Sequence, residues 1–390
     1  MASLPLIAAA VSCLIWIYLT FFRGAFWLLR SFDGDAVSAE KLDSWPRVAV
    51  IVPARDEAES IERAMTSLLK QEYPGEFRVW LVDDHSADGT AELAERAAEA
   101  TGLAHRLAIS QAAPLEKGWT GKLWALQQGV DRTAHDSPEY FWFTDADIEH
   151  APDTLQRLVS RAVTENLELT SLMAFLRAES LPERLLIPPF LYFFLKLYPP
   201  KWVADKNAKA AGAAGGCILL RKNALERIGG LAAIRAEVID DCAMARAVKR
   251  GGGKIWLGVT RKSVSVRSCE SYGEIVDMIA RTAFTQLRYS PLILAGTFLG
   301  MFFTYLSPVI FCFSTQASVW RLSLTAWALT TISYLPTLRF YGLSALWSPL
   351  LPVAAAFYSY ATWLSAMRYW RGHGGQWKGR SQAPGSAGRN

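Results

Sequence analysis

The sequence predicts an α/β protein built as a mostly parallel sheet flanked by helices, with transmembrane helices at both ends. Short apolar runs that stop at proline or acidic residues alternate with segments whose apolar residues have helical spacing. Strands and helices that alternate in this way indicate a parallel sheet with helical crossovers. Uncharged stretches near both ends are long enough to cross a bilayer. A chain of 390 residues has room for one domain of ordinary size plus such helices.

The predicted elements follow one another in a regular order. An apolar run over 47–54 predicts a buried strand, and the apolar spacing in 58–70 predicts a helix. A second strand is predicted over 79–82, followed by a helix over 88–100. The apolar run 140–142 predicts a further buried strand.

Acidic residues follow three of these predicted strands. They are Asp56, Glu57, Asp83, Asp84, Asp145 and Asp147. Residues i and i+2 of an extended segment point the same way, so Asp145 and Asp147 are expected to converge and to bind a divalent cation. Asp-x-Asp pairs are also common in solvated turns, which is the alternative. Because ligands bind such sheets at the carboxyl ends of the strands, three acidic ends predict one pocket.

Three motifs at these strand ends resemble those of a known family. They read Val-Pro-Ala-Arg-Asp-Glu at 52–57, Val-Asp-Asp-His-Ser-Ala-Asp-Gly-Thr at 82–90 and Thr-Asp-Ala-Asp at 144–147. Together they are similar to the signatures of family 2 glycosyltransferases with the GT-A fold, over roughly residues 45–289. With its membrane segments, the chain most resembles the hopene-associated glycosyltransferases, relatives of ceramide glucosyltransferase.

The resemblance implies a nucleotide-sugar donor at the acidic strand ends. The residues it places at the donor are Pro53, Ala54, Arg55, Glu57, Asp83, Asp84 and Asp145. It also implies that Asp145 and Asp147 hold Mg²⁺ or Mn²⁺ on the donor diphosphate.

Asp240 and Asp241 stand at the start of a predicted helix that continues through Val248. Acids at a helix start are ordinary capping residues, which is one interpretation. An inverting transfer needs a carboxylate that takes the proton of the attacking hydroxyl. In the family an acidic pair at this position contains that base, usually as its second member. The resemblance therefore implies Asp241 as the base, with Asp240 as the second choice.

Two basic residues are further candidates for the donor phosphates. Lys122 ends a glycine-punctuated loop, 117–122, that is suited either to cradle phosphate or to lie in solvent. The resemblance favours the donor for Lys122. Arg288 lies in Thr-Gln-Leu-Arg-Tyr at 285–289, where the family often has Gln-x-x-Arg-Trp. The arginine is retained while both flanking positions differ.

The membrane segments are predicted from long stretches without charge. Residues 1–30 form an N-terminal anchor around Leu4–Phe22, and residues 291–367 contain two further uncharged stretches. Between these two, the segment 322–338 is shorter, rich in serine and threonine, and the weakest of the predicted spans. Arg23 and Arg30 follow the anchor, which by the positive-inside rule predicts a cytoplasmic catalytic domain. With the resemblance, this implies a multi-pass protein of the bacterial cytoplasmic (inner) membrane.

The segment 184–202 contains an apolar stretch that is too short to span and that its prolines are expected to break. A core helix is one interpretation. An interfacial segment that lets a lipid acceptor enter sideways is the other, and flanking lysine and aromatic residues favour it.

Charge and cysteine content say less about fold and function than the motifs do. The net charge is +5, and the segment 368–390 contains basic but no acidic residues, which predicts a disordered tail. Three carboxyl-terminal spans place this tail outside the cell and two place it inside; the family favours three. Five scattered cysteines indicate neither a disulfide framework nor a zinc site.

The predicted function is a membrane-bound, metal-dependent inverting glycosyltransferase. It moves a sugar from a nucleotide-sugar, expected to be UDP-linked, to a lipid hydroxyl in hopanoid or related lipid biosynthesis. Its partners are the donor, a membrane lipid acceptor and the bilayer, with no nucleic acid. Two alternatives remain: a non-catalytic membrane scaffold of a lipid-biosynthesis complex, and a nucleotidylyltransferase on the same fold. The latter lacks its glycine-rich opening loop, since 52–57 contains no glycine.

Overall fold

A computed structural model of the protein describes residues 3–29, 31–36 and 42–374, and the backbone of 376–377 and 380–381. The chain divides into two compact units. The helical unit comprises Met1–Leu29, Ala178–Lys201 and Cys269–Gly375. The sheet unit comprises Arg30–Arg177, Trp202–Ser268 and Gln376–Asn390.

The sheet unit contains an eight-stranded mixed sheet. The strands are β1 (Val48–Ala54), β2 (Phe77–Asp83), β3 (Leu107–Gln111), β4 (Tyr140–Phe143), β5 (Ile148–His150), β6 (Leu169–Phe175), β7 (Ile218–Arg221) and β8 (Ile255–Ser265). Their spatial order is β3-β2-β1-β4-β7-β6-β8-β5.

The first half of the sheet is parallel, and the second half is mixed. β1 pairs in parallel with β2 on one side and β4 on the other, and β2 pairs in parallel with β3. β7 runs antiparallel to both β4 and β6, and β5 runs antiparallel to β8, whereas β6 and β8 are parallel. The α/β prediction is therefore confirmed. All pairs among β1, β2, β3 and β4 are parallel, whereas β6–β8 is the one parallel pair in the rest of this sheet.

Six helices of the sheet unit flank the sheet or follow its strands. They are α2 (Ile61–Leu69), α3 (Thr90–Thr101), α4 (Gly121–Arg132), α5 (Thr154–Thr164), α8 (Lys222–Arg227) and α9 (Asp240–Arg250). The apolar spacing of α2 buries Ile61, Met65 and Leu68 in the same core as the β1 side chains Val50 and Val52. This helix begins three residues later than predicted, because residues 58–60 form a turn.

The helical unit contains most of the remaining helices. They are α1 (Leu4–Ile17), α6 (Leu181–Leu197), α10 (Tyr272–Ala280), α11 (Ala283–Gln286), α12 (Pro291–Met301), α13 (Ser307–Phe311), α14 (Ala317–Phe340) and α15 (Leu351–Trp370), while α7 (Pro200–Ala204) lies at the boundary of the two units. Among the described residues, three helical segments are long and apolar enough to cross a membrane: Leu4–Phe22, Pro291–Phe311 and Ala345–Trp370. These are the segments for which the absence of charge predicts spans.

α6 corrects one expectation from the sequence. Its two prolines, Pro188 and Pro189, were expected to break the segment, yet the helix continues through both for 17 residues. Both prolines are buried, and a capping box between Ser180 and Glu183 fixes the first turn. Packing and the cap therefore offset the two backbone hydrogen bonds that the prolines cannot make. The placement of 184–202 at the bilayer interface stays a prediction.

α14 is longer than the predicted span 322–338, with 24 residues. It is absent from the three segments above, since its serines and threonines lower its mean hydropathy. The segments Ala178–Lys201 and 269–289 cluster with the helical unit, and the domain limits 45–289 stay a prediction.

The basic tail is only partly described. Residues 368–370 belong to α15, and a short antiparallel ladder joins β9 (Gln376–Trp377) to β10 (Arg380–Ser381). The other residues of the predicted disordered tail from 375 onward lie outside the described residues.

Candidate active site

Hydrogen bonds join the loops that follow β1 and β2. The Asp56 N–H donates to Ser86 Oγ at 2.9 Å, and the Ala87 N–H donates back to Asp56 Oδ1 at 2.9 Å. The Glu57 N–H donates to Thr90 Oγ1 at 2.8 Å. Because β1 and β2 are parallel and in register at Ala54 and Asp83, both loops start at the same edge of the sheet. The first two sequence motifs thus form one continuous loop surface.

Several residues predicted at the nucleoside have internal partners. Arg55 Nη1 donates to the backbone oxygen of Asp84 at 2.6 Å, and the Asp84 side chain is almost fully buried. Asp83 accepts the Ser86 N–H at 3.2 Å, and the Ala54 side chain is buried in the core. Pro53 lines a cleft together with Lys122, Asp145, Gly215 and Asp240. Asp84 and Ala54 therefore shape these loops from beneath, whereas Pro53 faces the cleft.

The Asp145-Ala146-Asp147 segment forms a turn, which corrects the expected extended geometry. β4 ends at Phe143, and the chain reverses to enter β5 at Ile148. The two carboxylates are still close enough to interact. Burial, followed by the charge of Asp145, raises the pKa of Asp147 to about 6. The turn therefore holds two acids near each other, although strand pleating is not the cause.

Arg267 contacts two residues of the candidate site, although the motifs did not reveal it. Its Nη2 contacts Glu57 Oε2 at 2.7 Å, and its Nε lies 3.6 Å from Asp147 Oδ2. It therefore links the acidic end of β1 to that of β4. It follows β8 by two residues, so a strand prediction over 255–265 would have placed a basic residue at a strand end.

Lys122 lies in the first turn of α4 and joins the Asp145 turn to the start of α9. Its Nζ is 2.6 Å from Asp145 Oδ1 and 3.8 Å from Asp240 Oδ2. Burial alone would lower the pKa of Lys122, but the charges of Asp145 and Asp240 outweigh it and raise this pKa well above its usual value. Lys122 is therefore a fixed positive charge between the two acidic groups.

Asp241 accepts a hydrogen bond from the Gly215 N–H at 2.9 Å. The backbone N–H of Cys242 donates to its other oxygen at 2.6 Å. The N-cap of α9 is Ile239, and Asp240 and Asp241 occupy the first turn, where negative charge also favours the helix dipole. Burial and the charge of Asp240 raise the pKa of Asp241 to about 7. A carboxylate with this pKa is suited to accept a proton near neutral pH.

Gly215 is the second residue that the motifs left unassigned. A β-carbon at this position would stand 3.1 Å from Lys122 Nζ and 3.5 Å from Asp241 Oδ2. Glycine therefore lets the backbone approach both charged groups, which a β-carbon would crowd.

Arg288 is not among the residues that the sheet unit brings together, because it belongs to the helical unit. Its side chain is exposed, and both Arg288 and Tyr289 have positive φ, 53° and 56°. Its contact with the donor stays a prediction.

Asp145 and Asp147 fit a divalent cation that also binds phosphate. No group of three or more His, Cys, Asp or Glu side chains among the described residues could hold a metal by itself. Mg²⁺ is commonly bound by one or two carboxylates together with substrate phosphates, and Asp145 and Asp147 supply those two carboxylates. Burial, and after it the charge of Asp145, raises the pKa of Asp147, and a cation beside this carboxylate would favour its charged form.

Comparison with known proteins relates this chain to glycosyltransferases. Residues 49–229 match the profile of the family described as Glycosyl transferase family 2. The structure is similar to that of a mannosyltransferase from Pyrobaculum calidifontis, solved in complex with GDP-Man and Mn²⁺. That similarity has a TM-score of 0.54 and 20% sequence identity, over 91% of this chain and 98% of the other. The likeness shows the fold, and the sheet unit has the GT-A fold that the resemblance implied.

Two sequence relatives match shorter stretches. An N-acetylglucosaminyltransferase of Rhizobium meliloti is 44% identical over 71 residues, 17% of each chain. A beta-monoglucosyldiacylglycerol synthase of Trichormus variabilis is 33% identical over 122 residues, 31% of this chain and 24% of the relative. The chain therefore spans less than a quarter of the length of either relative. The match to the family profile likewise covers less than half of this chain.

Proposed function

We propose that this family 2 domain transfers a sugar from a nucleotide-sugar to a lipid hydroxyl, with inversion at the anomeric carbon. The observation that carries the proposal is the position of Lys122. Its ammonium group joins Asp145, on the donor side, to Asp240 beside the candidate base Asp241. A fixed cation between the proposed phosphate-binding turn and the proposed base favours displacement at the anomeric carbon, because it stabilises the charge that develops on the leaving diphosphate.

In the proposed reaction Asp241 accepts the proton of the acceptor hydroxyl. The acceptor oxygen bonds to the anomeric carbon, and the bond from that carbon to the diphosphate oxygen breaks. The nucleoside diphosphate leaves with the electron pair. The Gly215 N–H holds Asp241 in place while Lys122 offers positive charge to the leaving group. A Mg²⁺ or Mn²⁺ ion on Asp145 and Asp147 would supply further neutralisation of the diphosphate.

The lipid acceptor is supported by two observations of different kinds. In the part of the chain that the structure describes, three helical segments are apolar and long enough to cross a membrane. One relative is, by its name, a synthase of a glucosyl diacylglycerol. The sequence resemblance points instead to hopanoid or related lipids, so the acceptor class is a membrane lipid with a free hydroxyl. We propose a multi-pass protein of the bacterial inner membrane, with its sheet unit in the cytoplasm and UDP-sugar as its donor.

The test is sugar transfer by the purified full-length protein in detergent. Labelled UDP-glucose, UDP-N-acetylglucosamine and GDP-mannose are each supplied with Mn²⁺ or Mg²⁺, using either diacylglycerol or hopanoid-containing bacterial lipid extract. We expect one donor to yield labelled lipid, with the anomeric configuration inverted. EDTA and Asp241→Asn abolish the product, whereas Asp131→Asn, which changes an exposed carboxylate on α4, does not.

Other outcomes favour the alternatives. Release of pyrophosphate indicates a nucleotidylyltransferase. Full activity of an Asp147→Ala, Asp241→Asn double variant overturns the proposed mechanism. Absence of transfer by folded wild-type protein with every donor and acceptor favours the scaffold.

A further inference from the structure

A chain of buried polar groups lies beneath the Asp145 turn. His150 Nε2 is 2.8 Å from Thr144 Oγ1, and His150 Nδ1 is 2.8 Å from Ser263 Oγ. Thr144 Oγ1 in turn donates to the backbone oxygen of Gly216 at 3.0 Å. All three side chains are almost fully buried. A buried polar chain of this kind is stabilising only when every member has a partner.

The hydrogen bonds determine which nitrogen of His150 carries the proton. The Gly216 oxygen can only accept, so the single hydroxyl hydrogen of Thr144 is used there. Thr144 Oγ1 must therefore accept from His150, which places the proton on Nε2. In neutral imidazole Nδ1 is then an acceptor, and the Ser263 hydroxyl donates to it. Burial lowers the pKa of His150 to about 3, so the ring stays neutral in the functional pH range.

This chain joins the two halves of the candidate active site. Thr144 directly precedes Asp145, which contacts Lys122. Gly216 directly follows Gly215, whose N–H holds Asp241. Ser263 lies opposite His150 in the antiparallel β5–β8 pair, so the imidazole is fixed from the sheet side. The hydrogen bonds of one ring thus reach both the donor-side turn and the segment that holds the base.

Packing fixes the ring in addition. The Trp142 ring meets the His150 ring edge-on, with centroids 4.7 Å apart and an interplanar angle of 62°. Trp142 Nε1 donates to Cys217 Sγ at 3.3 Å, which ties the indole to the residue after Gly216. The imidazole therefore has little freedom to rotate or to exchange its partners.

We propose that His150, with its proton on Nε2, is a positioning residue that sets the separation between the Asp145 turn and the Asp241 base. It acts through the Thr144 hydroxyl and the Gly216 carbonyl and does not touch the substrate. This inference rests on the proposed function only for the roles of Asp145 and Asp241. The hydrogen-bond chain and its proton order are independent of those roles.

The test compares two substitutions at His150. The amide nitrogen of glutamine reaches the place of Nε2, whereas asparagine reaches only that of Nδ1. His150→Gln therefore keeps the donor to Thr144, and His150→Asn loses it. Thr144→Val breaks the same hydrogen bond from the other side. Groups that hydrogen-bond to metal ligands and orient them are typically worth about 10–100-fold in metal affinity or activity.

We measure Mn²⁺ binding to full-length protein in the presence of UDP by electron paramagnetic resonance. His150→Asn and Thr144→Val are expected to weaken Mn²⁺ binding by about tenfold, and His150→Gln by much less. Equal effects of the glutamine and asparagine variants, or no effect of Thr144→Val, overturn the proposal. Thermal unfolding of each variant identifies any that do not fold, in which case Thr144→Val and Ser263→Ala provide the comparison.

Two further measurements do not depend on the proposed function. Hydrogen exchange in 143–148 and 213–218 is expected to rise together in His150→Asn and to stay near wild type in His150→Gln. In ¹⁵N-histidine-labelled protein, His150 is expected to show one protonated nitrogen, Nε2. A proton on Nδ1, or exchange that rises in only one segment, overturns the inference. If wild-type protein binds no Mn²⁺ with UDP, the proposed function fails while these two measurements still decide the role of His150.

Discussion

At the scale of single residues, the proton affinity of Asp241 governs the proposed reaction. Burial and the neighbouring charge of Asp240 raise its pKa to about 7, and the charge of Lys122 acts in the opposite direction. Below this pKa the carboxyl is protonated and cannot act as a base. Transfer should therefore rise with pH up to about 7 and level off above it. The measurement is kcat/KM against pH, which reports the free enzyme.

Two substitutions should shift the pH at which kcat/KM rises, and they should shift it in opposite directions. Asp240→Asn removes a charge that raises the pKa of Asp241, so kcat/KM should rise at lower pH than in the wild type. Lys122→Met removes a charge that lowers the pKa of Asp241, so kcat/KM should rise at higher pH than in the wild type. The maximal rate should also fall, because the leaving group loses its cation. Shifts of the same sign in both variants would show that Asp241 is not the titrating base.

Gly215 gives a second prediction at this scale. In Gly215→Ala the new methyl group would stand 3.1 Å from Lys122 Nζ, which already contacts Asp145 at 2.6 Å. The ammonium group must move, and misplacement of a charged site group by a fraction of an ångström is expected to lower kcat about tenfold or more. Gly34→Ala is the control, since a β-carbon there meets no atom within 4 Å. Unchanged kcat in Gly215→Ala would show that the contact between Lys122 and Asp145 is dispensable.

At the scale of elements, the loops after β1 and β2 depend on Thr90, the first residue of α3. Its side chain is fully buried, and its hydroxyl accepts the Glu57 N–H. Thr90→Val leaves that N–H without its acceptor, at an expected cost of about 1–3 kcal/mol in the free energy of unfolding.

Chemical unfolding of full-length protein in detergent measures this cost. Thr101→Ala is the matched control at the other end of α3, where the hydroxyl bonds only to the Ala98 oxygen and is partly exposed. We expect the control to cost less than about 1 kcal/mol. Equal losses in both variants would mean that the bond to Glu57 does not hold the two loops together.

The same elements show which parts of the fold and site are readable from sequence. β1, β2 and β4 are short apolar runs that end in polar residues, so local pattern was sufficient to predict them. β7 has only four residues and pairs antiparallel between β4 and β6, and no local pattern predicts that order. Motifs led to Lys122, Asp145 and Asp241 because they are local in sequence.

The residues that were missed act through contacts that local sequence pattern does not reveal. Arg267 acts through contacts with Glu57 and Asp147, and His150 through bonds to Thr144 and Ser263. The prediction of an extended Asp-x-Asp segment was wrong because β5 runs antiparallel to its partner β8, and the chain must reverse after β4 to reach it.

At the scale of the whole molecule, contacts within the helical unit give directions to its helices. Ser12 Oγ lies 2.5 Å from Ser307 Oγ, and Trp16 Nε1 donates to the Thr304 oxygen at 2.5 Å. Later residues of α1 contact earlier residues of the segment 291–311, so the two helical segments are antiparallel. Ser3 Oγ contacts Gln316 Oε1 at 3.2 Å, which places the start of α14 beside the start of α1. α14 therefore begins at the same end of the helical unit as α1 and runs in the same direction. Its composition is less apolar than that of the three candidate spans.

These directions predict that Ser3 and Gln316 face the same side of the membrane. The positive-inside rule with Arg23 places that side outside the cytoplasm. Variants Ser3→Cys and Gln316→Cys, with Cys269 and Cys312 changed to serine and the three buried cysteines retained, should react with a membrane-impermeant maleimide in intact spheroplasts. Glu59→Cys, an exposed position of the sheet unit, should react only after permeabilisation.

Labelling of Ser3→Cys and Gln316→Cys from opposite sides would contradict the pairing of α1 with α14. Labelling of Glu59→Cys without permeabilisation would contradict a cytoplasmic active site, because nucleotide-sugars are supplied on the cytoplasmic side.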